Sequence, residues 1–184
     1  MLDNKELIEA CVKGDRVAQR NLYDLFSRRM YVVCLRYTKS QQEAEDVLQD
    51  SFIKVFKNLK GYRGDSRLDY WIKRIVINTA LNSQRKKLYM YPMVDIDDVK
   101  NDFDHSKALS NFQMEELLKM IKELPTGCQA VFNLFAIEGY SHKEIAEMLE
   151  VSEGTSKSQF ARARKLLQNK IAEEDKTERY EKFK

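Results

Sequence analysis

The stretch GYSHKEIAEMLEVSEGTSKSQFARARKLL (139–167) holds two helical patterns separated by a tight turn. Ser141 followed three residues later by Glu144 is a capping box, in which side chain and backbone satisfy each other's orphan donors at a helix start. Ile145, Ala146 and Leu149 then fall on one face. The turn EVSEG carries Val151 inward, and Ser152 is placed to cap a second helix. In that helix Ser156, Phe160, Ala163 and Leu167 recur at i, i+4, i+7 and i+11, which assigns them, Phe160 included, to an inner face. Lys157, Ser158, Gln159, Arg162 and Lys165 are thereby expected to face largely outward. The pattern is a helix-turn-helix, whose second helix fits the DNA major groove, where Arg, Lys and Gln read base edges or grip phosphates. A solvated helical hairpin without a ligand is the alternative. Against it, residues 154–172 carry Lys157, Arg162, Arg164, Lys165 and Lys170 and no acid.

Outward from this motif the chain reads as helix throughout. Only 6 Gly and 2 Pro occur in 184 residues, about a third of the usual share, so a sandwich or barrel lacks the turn residues it needs. Capping boxes are predicted at Ser40/Glu43, Ser66/Asp69 and Thr126/Gln129 as well, and Gly14, Gly61, Gly139 and Gly154 fall at expected helix breaks. Helices are predicted over about 4–13, from after Asp15, from after Ser40, over 67–87, and over 112–123, 127–138, 142–150 and 153–171. Leu22, Leu25, Phe26, Met30 and Val33, then Leu48, Phe52, Val55, Phe56 and Leu59, give the second and third helices their apolar faces. From Leu88 to about Asn111 the period fails, with Pro92 and five aspartates. The expected fold is all-α: two small helical domains, residues 1–90 and 112–172, joined by a flexible acidic linker, 91–111, and followed by a charged, fraying tail, 173–184.

The formal net charge of +3 conceals a pattern. Residues 1–90 hold 18 basic and 11 acidic side chains, whereas 91–112 hold 2 and 5, and 113–170 hold 8 of each. Two basic surfaces flank an acidic tether, which points to a nucleic-acid partner. In the first domain, KGYRGDSR and then YWIKRIVINTALNSQRKK (70–87) mix cations, amides and aromatics. Cations neutralise phosphates, amides bond base edges, and aromatics stack on unpaired bases. Trp71, among Leu68, Ile72 and Ile75, is expected in the core, and Tyr62 is the better stacking candidate.

Other classes fall away. Cys11, Cys34 and Cys128 lie far apart within apolar stretches and are expected as buried, reduced thiols. With His105 and His142 the only histidines, a zinc cluster lacks ligands. No phosphate-binding glycine loop and no nucleophile with a His partner stands out, so no enzyme, cofactor or metal is expected. The opening MLDNKELIEA has no basic-then-apolar leader, and no apolar run approaches a membrane span. The expectation is a soluble, cytoplasmic protein with no membrane insertion.

AEDVLQDSFIKVFKNL (44–59), YRGDSRLDYWIKRIVINTALNSQRKK (62–87) and LPTGCQAVFNLFAIEGYSHKEIAEMLEVSEGTSKSQFARARKLL (124–167) together resemble the bacterial RNA polymerase sigma factors of the sigma-seventy family, extracytoplasmic function (ECF) subgroup. The blocks stand in family order, and the resemblance spans about residues 7–170. It implies two helical domains, regions 2 and 4, without the domain between them. By resemblance, Asp46, Gln49, Asp50 and Lys54 dock on the β′ clamp helices of core RNA polymerase, and the β flap is a further contact. Lys60, Tyr62, Arg63, Arg67, Lys73, Arg74, Asn78, Asn82 and Arg85 match the part that recognises and opens the promoter −10 element. Thr155, Lys157, Ser158, Gln159, Arg162 and Lys165 match the reader of the −35 element. Core polymerase and promoter DNA are the implied partners, with an anti-sigma factor as a further one. Two positions depart from the family pattern: Ser156 replaces a branched apolar residue, and Gln159 replaces a frequent Arg. A stand-alone helix-turn-helix regulator is the alternative, but it leaves the polar face of 44–59 without a task.

Overall fold

The computed structural model describes residues 4–90 and 114–181, with side chains described for 5–84 and 116–173. The chain divides into two compact units, 1–84 and 85–184. The acidic linker predicted over 91–111 lies outside the described residues.

Unit one is built from α1 (Asn4–Val12), α2 (Arg16–Tyr37), α3 (Gln41–Asn58) and α4 (Leu68–Met90), with a 3-10 turn at Leu59–Gly61. Asp15 starts α2 by accepting the Val17 and Ala18 amides at 2.8 and 3.1 Å, and Ser40 starts α3 by accepting the Glu43 amide at 3.1 Å. Each such cap contributes about 1 kcal/mol. The core interleaves Leu22, Phe26, Met30 and Val33 of α2 with Leu48, Phe52 and Val55 of α3 and Ile72, Val76 and Ile77 of α4. Each large aliphatic side chain buried there gains roughly 1.5–3 kcal/mol over exposure. Leu25 departs from expectation. It sits on the flank of the α2 stripe, is exposed, and lines a cleft with Phe26 and Arg29.

Unit two contains α5 (Met114–Glu123), α6 (Thr126–Phe132), α7 (His142–Leu149) and α8 (Glu153–Glu181). Met120, Ile121, Leu124, Cys128, Ala163, Leu167 and Ile171 form its central cluster, which Leu117, Phe132 and Leu166 flank. The helix predicted over 127–138 widens into a π turn at Asn133–Ile137, closed by the Glu138 amide on the Asn133 carbonyl at 3.0 Å, before Gly139 breaks it at φ 81. α8 extends beyond residue 172 as far as Glu181.

Two of the predicted capping boxes fail. The Ser66 carbonyl accepts the Tyr62 hydroxyl, while Asp69 takes arginines in place of a backbone amide. Thr126 is already inside α6, which starts from Pro125, and Gln129 is buried. Gly154 lies in the first turn of α8, where no break occurs.

Candidate nucleic-acid and polymerase interfaces

In unit two, α7 and α8 are held as a rigid pair by polar fasteners. Ser141 and Glu144 complete their capping box: the Ser141 amide donates to Glu144 Oε2 at 2.8 Å, and the Glu144 amide to Ser141 Oγ at 3.3 Å. The turn passes through Glu150 in the left-handed region, φ 56, and closes with the Val151 amide on the Ala146 carbonyl at 3.0 Å. Ser152 Oγ accepts the Thr155 amide at 2.9 Å and lies 2.8 Å from the Thr155 hydroxyl. Across the pair, His142 Nδ1 meets Ser156 Oγ at 2.9 Å, and the His142 ring stacks on Phe135 at 4.3 Å. Burial and the nearby Lys157 charge hold the His142 pKa below its ordinary value.

Two of the predicted readers do not face outward. Gln159 points inward, 4% exposed, and its Oε1 accepts the Cys128 thiol at 3.0 Å. Thr155 is buried in the α8 cap. The inner face of α8 at this end is Thr155, Ser156, Gln159 and Ala163, polar where a hydrophobic pattern would have marked it. Phe160 is half-buried, leaning on Phe132, Phe135 and His142 with the Arg164 guanidinium 5.9 Å from its ring centre. Lys157 and Lys165 are exposed, and Ser158 and Arg162 are half-exposed, so those four remain as the outward polar set. Lys157 is bridged to Glu153 at 2.7 Å, an i,i+4 pair at the helix start that lowers the Glu153 pKa.

Unit one presents a second polar surface, on the loop before α4 and along that helix. Lys60, Arg63, Arg67, Arg74, Asn78 and Asn82 are exposed and Lys73 is half-exposed, whereas the Arg85 side chain lies outside the described residues. The aromatics are distributed otherwise than predicted. Trp71 is half-buried, not core, and Tyr62 folds over it with ring centres 5.3 Å apart, its hydroxyl donating to the Ser66 carbonyl at 2.5 Å. The exposed ring is Tyr70, 54% accessible, with the Arg67 guanidinium and the Lys73 ammonium each 5.5 Å from its centre. Sequence reasoning missed Tyr70 as a site residue. The signal was the helical offset from Leu68 and Ile72, which turns position 70 away from the buried face.

On α3, Asp46, Gln49 and Asp50 lie exposed on one face, where i, i+3 and i+4 meet. Ile53 continues that face one turn on and is 51% exposed, an apolar residue that the sequence reading passed over. Lys54 is tied instead to α4, its Nζ donating to Thr79 Oγ1 at 3.2 Å.

The three cysteines are buried and free. Burial pushes the Cys34 thiol up to about 12 and raises Cys11 and Cys128, so thiolate chemistry is disfavoured. Among the described residues no group of three or more His, Cys, Asp or Glu could hold a metal ion, and no helix is long and apolar enough to cross a membrane.

Comparison with known proteins matches both units. The family description "Sigma-70 region 2" fits residues 22–88, and "Sigma-70, region 4" fits 114–167. The ECF RNA polymerase sigma-E factor of Haemophilus influenzae is 30% identical over 182 residues, covering 92% of this chain and 96% of that protein. The factor of the same description from Escherichia coli is 30% identical over 182 residues, covering 92% and 95%. Among solved structures, the chain is similar in fold to the Bartonella quintana sigma factor RpoE, seen in complex with the anti-sigma factor NepR. There the TM-score is 0.53 at 20% identity, over 84% of this chain and 96% of that one.

Proposed function

Because the chain belongs to the ECF RNA polymerase sigma factors of the sigma-70 family, we propose that its three outward polar sets divide the work of promoter engagement. As a sigma factor it binds core RNA polymerase, directs it to promoters and helps open the −10 region. In the assignment proposed here, Asp46, Gln49 and Asp50, with Ile53 among them, dock on the β′ clamp helices. Lys54, tied to Thr79, braces α3 against α4 beside that face. The loop before α4 and the exposed residues of α4 engage the −10 element: Arg63, Lys73 and Arg74 meet phosphates, Arg67, Asn78 and Asn82 meet base edges, and Tyr70 stacks on an unpaired base. Lys157, Ser158, Arg162 and Lys165 face the −35 duplex, while Thr155 and Gln159 shape the helix that carries them.

The observation that carries this reading is that both sigma domains occur in one chain, in family order, each with an outward polar face. Strand opening then draws on binding energy, with no catalytic step of the chain's own. The site of action is cytoplasmic, and an anti-sigma factor is a further expected partner, one that would cover these faces in the free protein. A stand-alone regulator would need only α7 and α8 and gives the α3 face no role.

Reconstitution decides between the two. Core polymerase, this chain and genomic promoter DNA should yield discrete promoter-dependent transcripts. Normal duplex binding with no initiation by core polymerase would replace the sigma reading with the regulator.

A further inference from the structure

Asp69 occupies the first turn of α4, and its carboxylate collects two guanidinium groups. Arg67 grips it as a fork, Nε to Oδ1 at 3.2 Å and Nη2 to Oδ2 at 3.0 Å. Arg29, reaching from α2, places Nη2 3.6 Å from Oδ2. The exposures are unequal: the Asp69 side chain is 12% accessible, against 74% for Arg67 and 67% for Arg29. The acid is therefore the fixed point, and the cations are held out from it. The fork leaves the Arg67 guanidinium beside the exposed Tyr70 ring, with Lys73 also at that ring. All three charged groups of the clamp stand around a cleft of about 810 Å³ (lined by Arg29, Arg67 and Asp69 together with Tyr62 and Arg63) between α1, α2 and the loop before α4.

A surface ion pair adds little stability, and any acid in the first turn would satisfy the helix dipole. Neither accounts for a bidentate fork on one arginine with a second arginine on the same oxygen. A fork does something else well: it fixes the orientation of a long, otherwise mobile guanidinium. We propose that Asp69 is a positioning residue, aiming Arg67 along the Tyr70 ring at the mouth of this cleft so that the cation meets the non-template −10 strand already oriented. The inference rests on the −10 assignment of this surface and adds to it a residue that never touches DNA.

Charge alone predicts tighter binding with discrimination unchanged, which makes the test decisive. Removing a negative charge beside a phosphate-binding surface tightens binding to any sequence, whereas loosening Arg67 erodes discrimination. The probe is a forked promoter duplex with a single-stranded non-template −10 segment, taken from a start site mapped with the reconstituted holoenzyme, against the same fork with that segment scrambled. In holoenzyme, Asp69→Asn should lower the cognate-to-scrambled affinity ratio by about fivefold, a coupling ordinary for contacting residues. Asp69→Glu, which can still reach Arg67, should recover most of the ratio. Arg67→Ala should lose as much as Asp69→Asn, and the double variant no more than Arg67→Ala alone.

An unchanged ratio in Asp69→Asn, or losses that add in full in the double variant, would overturn the positioning role. So would a melting-temperature loss in Asp69→Asn that accounts for the whole effect while Asp69→Glu, folded normally, fails to rescue. If Arg74→Ala and Asn78→Ala also leave fork binding untouched, the −10 assignment itself has failed. If they weaken it, the assignment stands and only the clamp is lost.

Discussion

The two helices proposed to face DNA solve the same problem with opposite materials. On α4 the buried face is mainly apolar, with Leu68, Ile72, Val76, Ile77 and Ala80 and only Thr79 and Gln84 as buried polar residues, and Arg74, Asn78 and Asn82 are left for the outside. On the first turns of α8 the buried face is itself polar. Thr155 caps the helix, Ser156 meets His142, and Gln159 takes the Cys128 thiol. The first turns of α8 offer little apolar area with which to fix the helix angle, so hydrogen bonds in the low-dielectric interior fix it instead. One helix therefore leaves most of its polar residues facing outward, and the other uses half of those in its first turns to fix its own posture.

The largest expected effect lies off both helices, on the α3 face proposed to dock on polymerase. Asp50→Lys reverses a charge that is exposed and makes no fold contact of its own there. Affinity for core polymerase should fall tenfold or more, as for a charge contact buried on docking, which costs about 2–5 kcal/mol when broken. The melting temperature should stay put. Normal docking would return this face to ordinary solvation.

A second experiment tests the α4 side of the contrast. Tyr70→Ala should weaken binding to a single-stranded −10 segment by about 1–3 kcal/mol, the worth of one base–aromatic stack, without lowering stability. Tyr62→Ala removes a ring packed on Trp71, so it should lower the melting temperature of unit one instead. Trp71 is the single tryptophan, and its fluorescence follows that unit alone. If the two variants exchange phenotypes, the stacking residue is Tyr62 after all.

This contrast also explains which parts of the molecule were legible in the sequence. The helices of unit one, the α7–α8 turn and the polar outer face of α3 follow from apolar periodicity, because there an apolar residue mostly means inside and a polar one outside, Thr79 and Gln84 excepted. At Thr155 and Gln159 that equation breaks: the pattern cannot mark a buried face made of hydroxyls and an amide. Ile53 and Leu25 show the converse, apolar side chains placed outside on helices whose buried stripe is complete without them. Ser66 and Thr126 fail for a local reason. Each matches the cap spacing, but Asp69 is taken by arginines and Pro125 begins α6 one residue earlier.

The α8 side of the contrast is tested by a pair within one helix. Gln159→Ala strands the Cys128 thiol and opens a small void, so unit two should lose about 1–2 kcal/mol; any loss of −35 duplex affinity should follow that destabilisation. Arg162→Ala should leave stability within about 0.5 kcal/mol and reduce the salt slope of duplex binding by about 0.9, the release of one phosphate contact. A stable Gln159→Ala protein with altered base preference would put that side chain back among the readers.

The smallest effect is a pH dependence confined to the α7–α8 pair. His142 titrates below its ordinary value because burial and Lys157 disfavour the imidazolium, with Glu153 opposing them weakly. The unfolded chain therefore binds the proton more readily than the folded one, and stability rises with pH across that interval. Its contribution is complete above the unfolded value, near 6.5, and is lost as pH falls through the lowered folded value. Hydrogen exchange on the α7 and α8 amides, compared after correction for intrinsic rates at pH 7.5 and 5.5, should show weaker protection at the lower pH, while α4 amides hold theirs. His142→Gln keeps a polar partner for Ser156 but cannot titrate, and it should flatten the difference. An equal loss in His142→Gln would assign the sensitivity to another group and leave the His142–Ser156 contact as a fastener indifferent to pH.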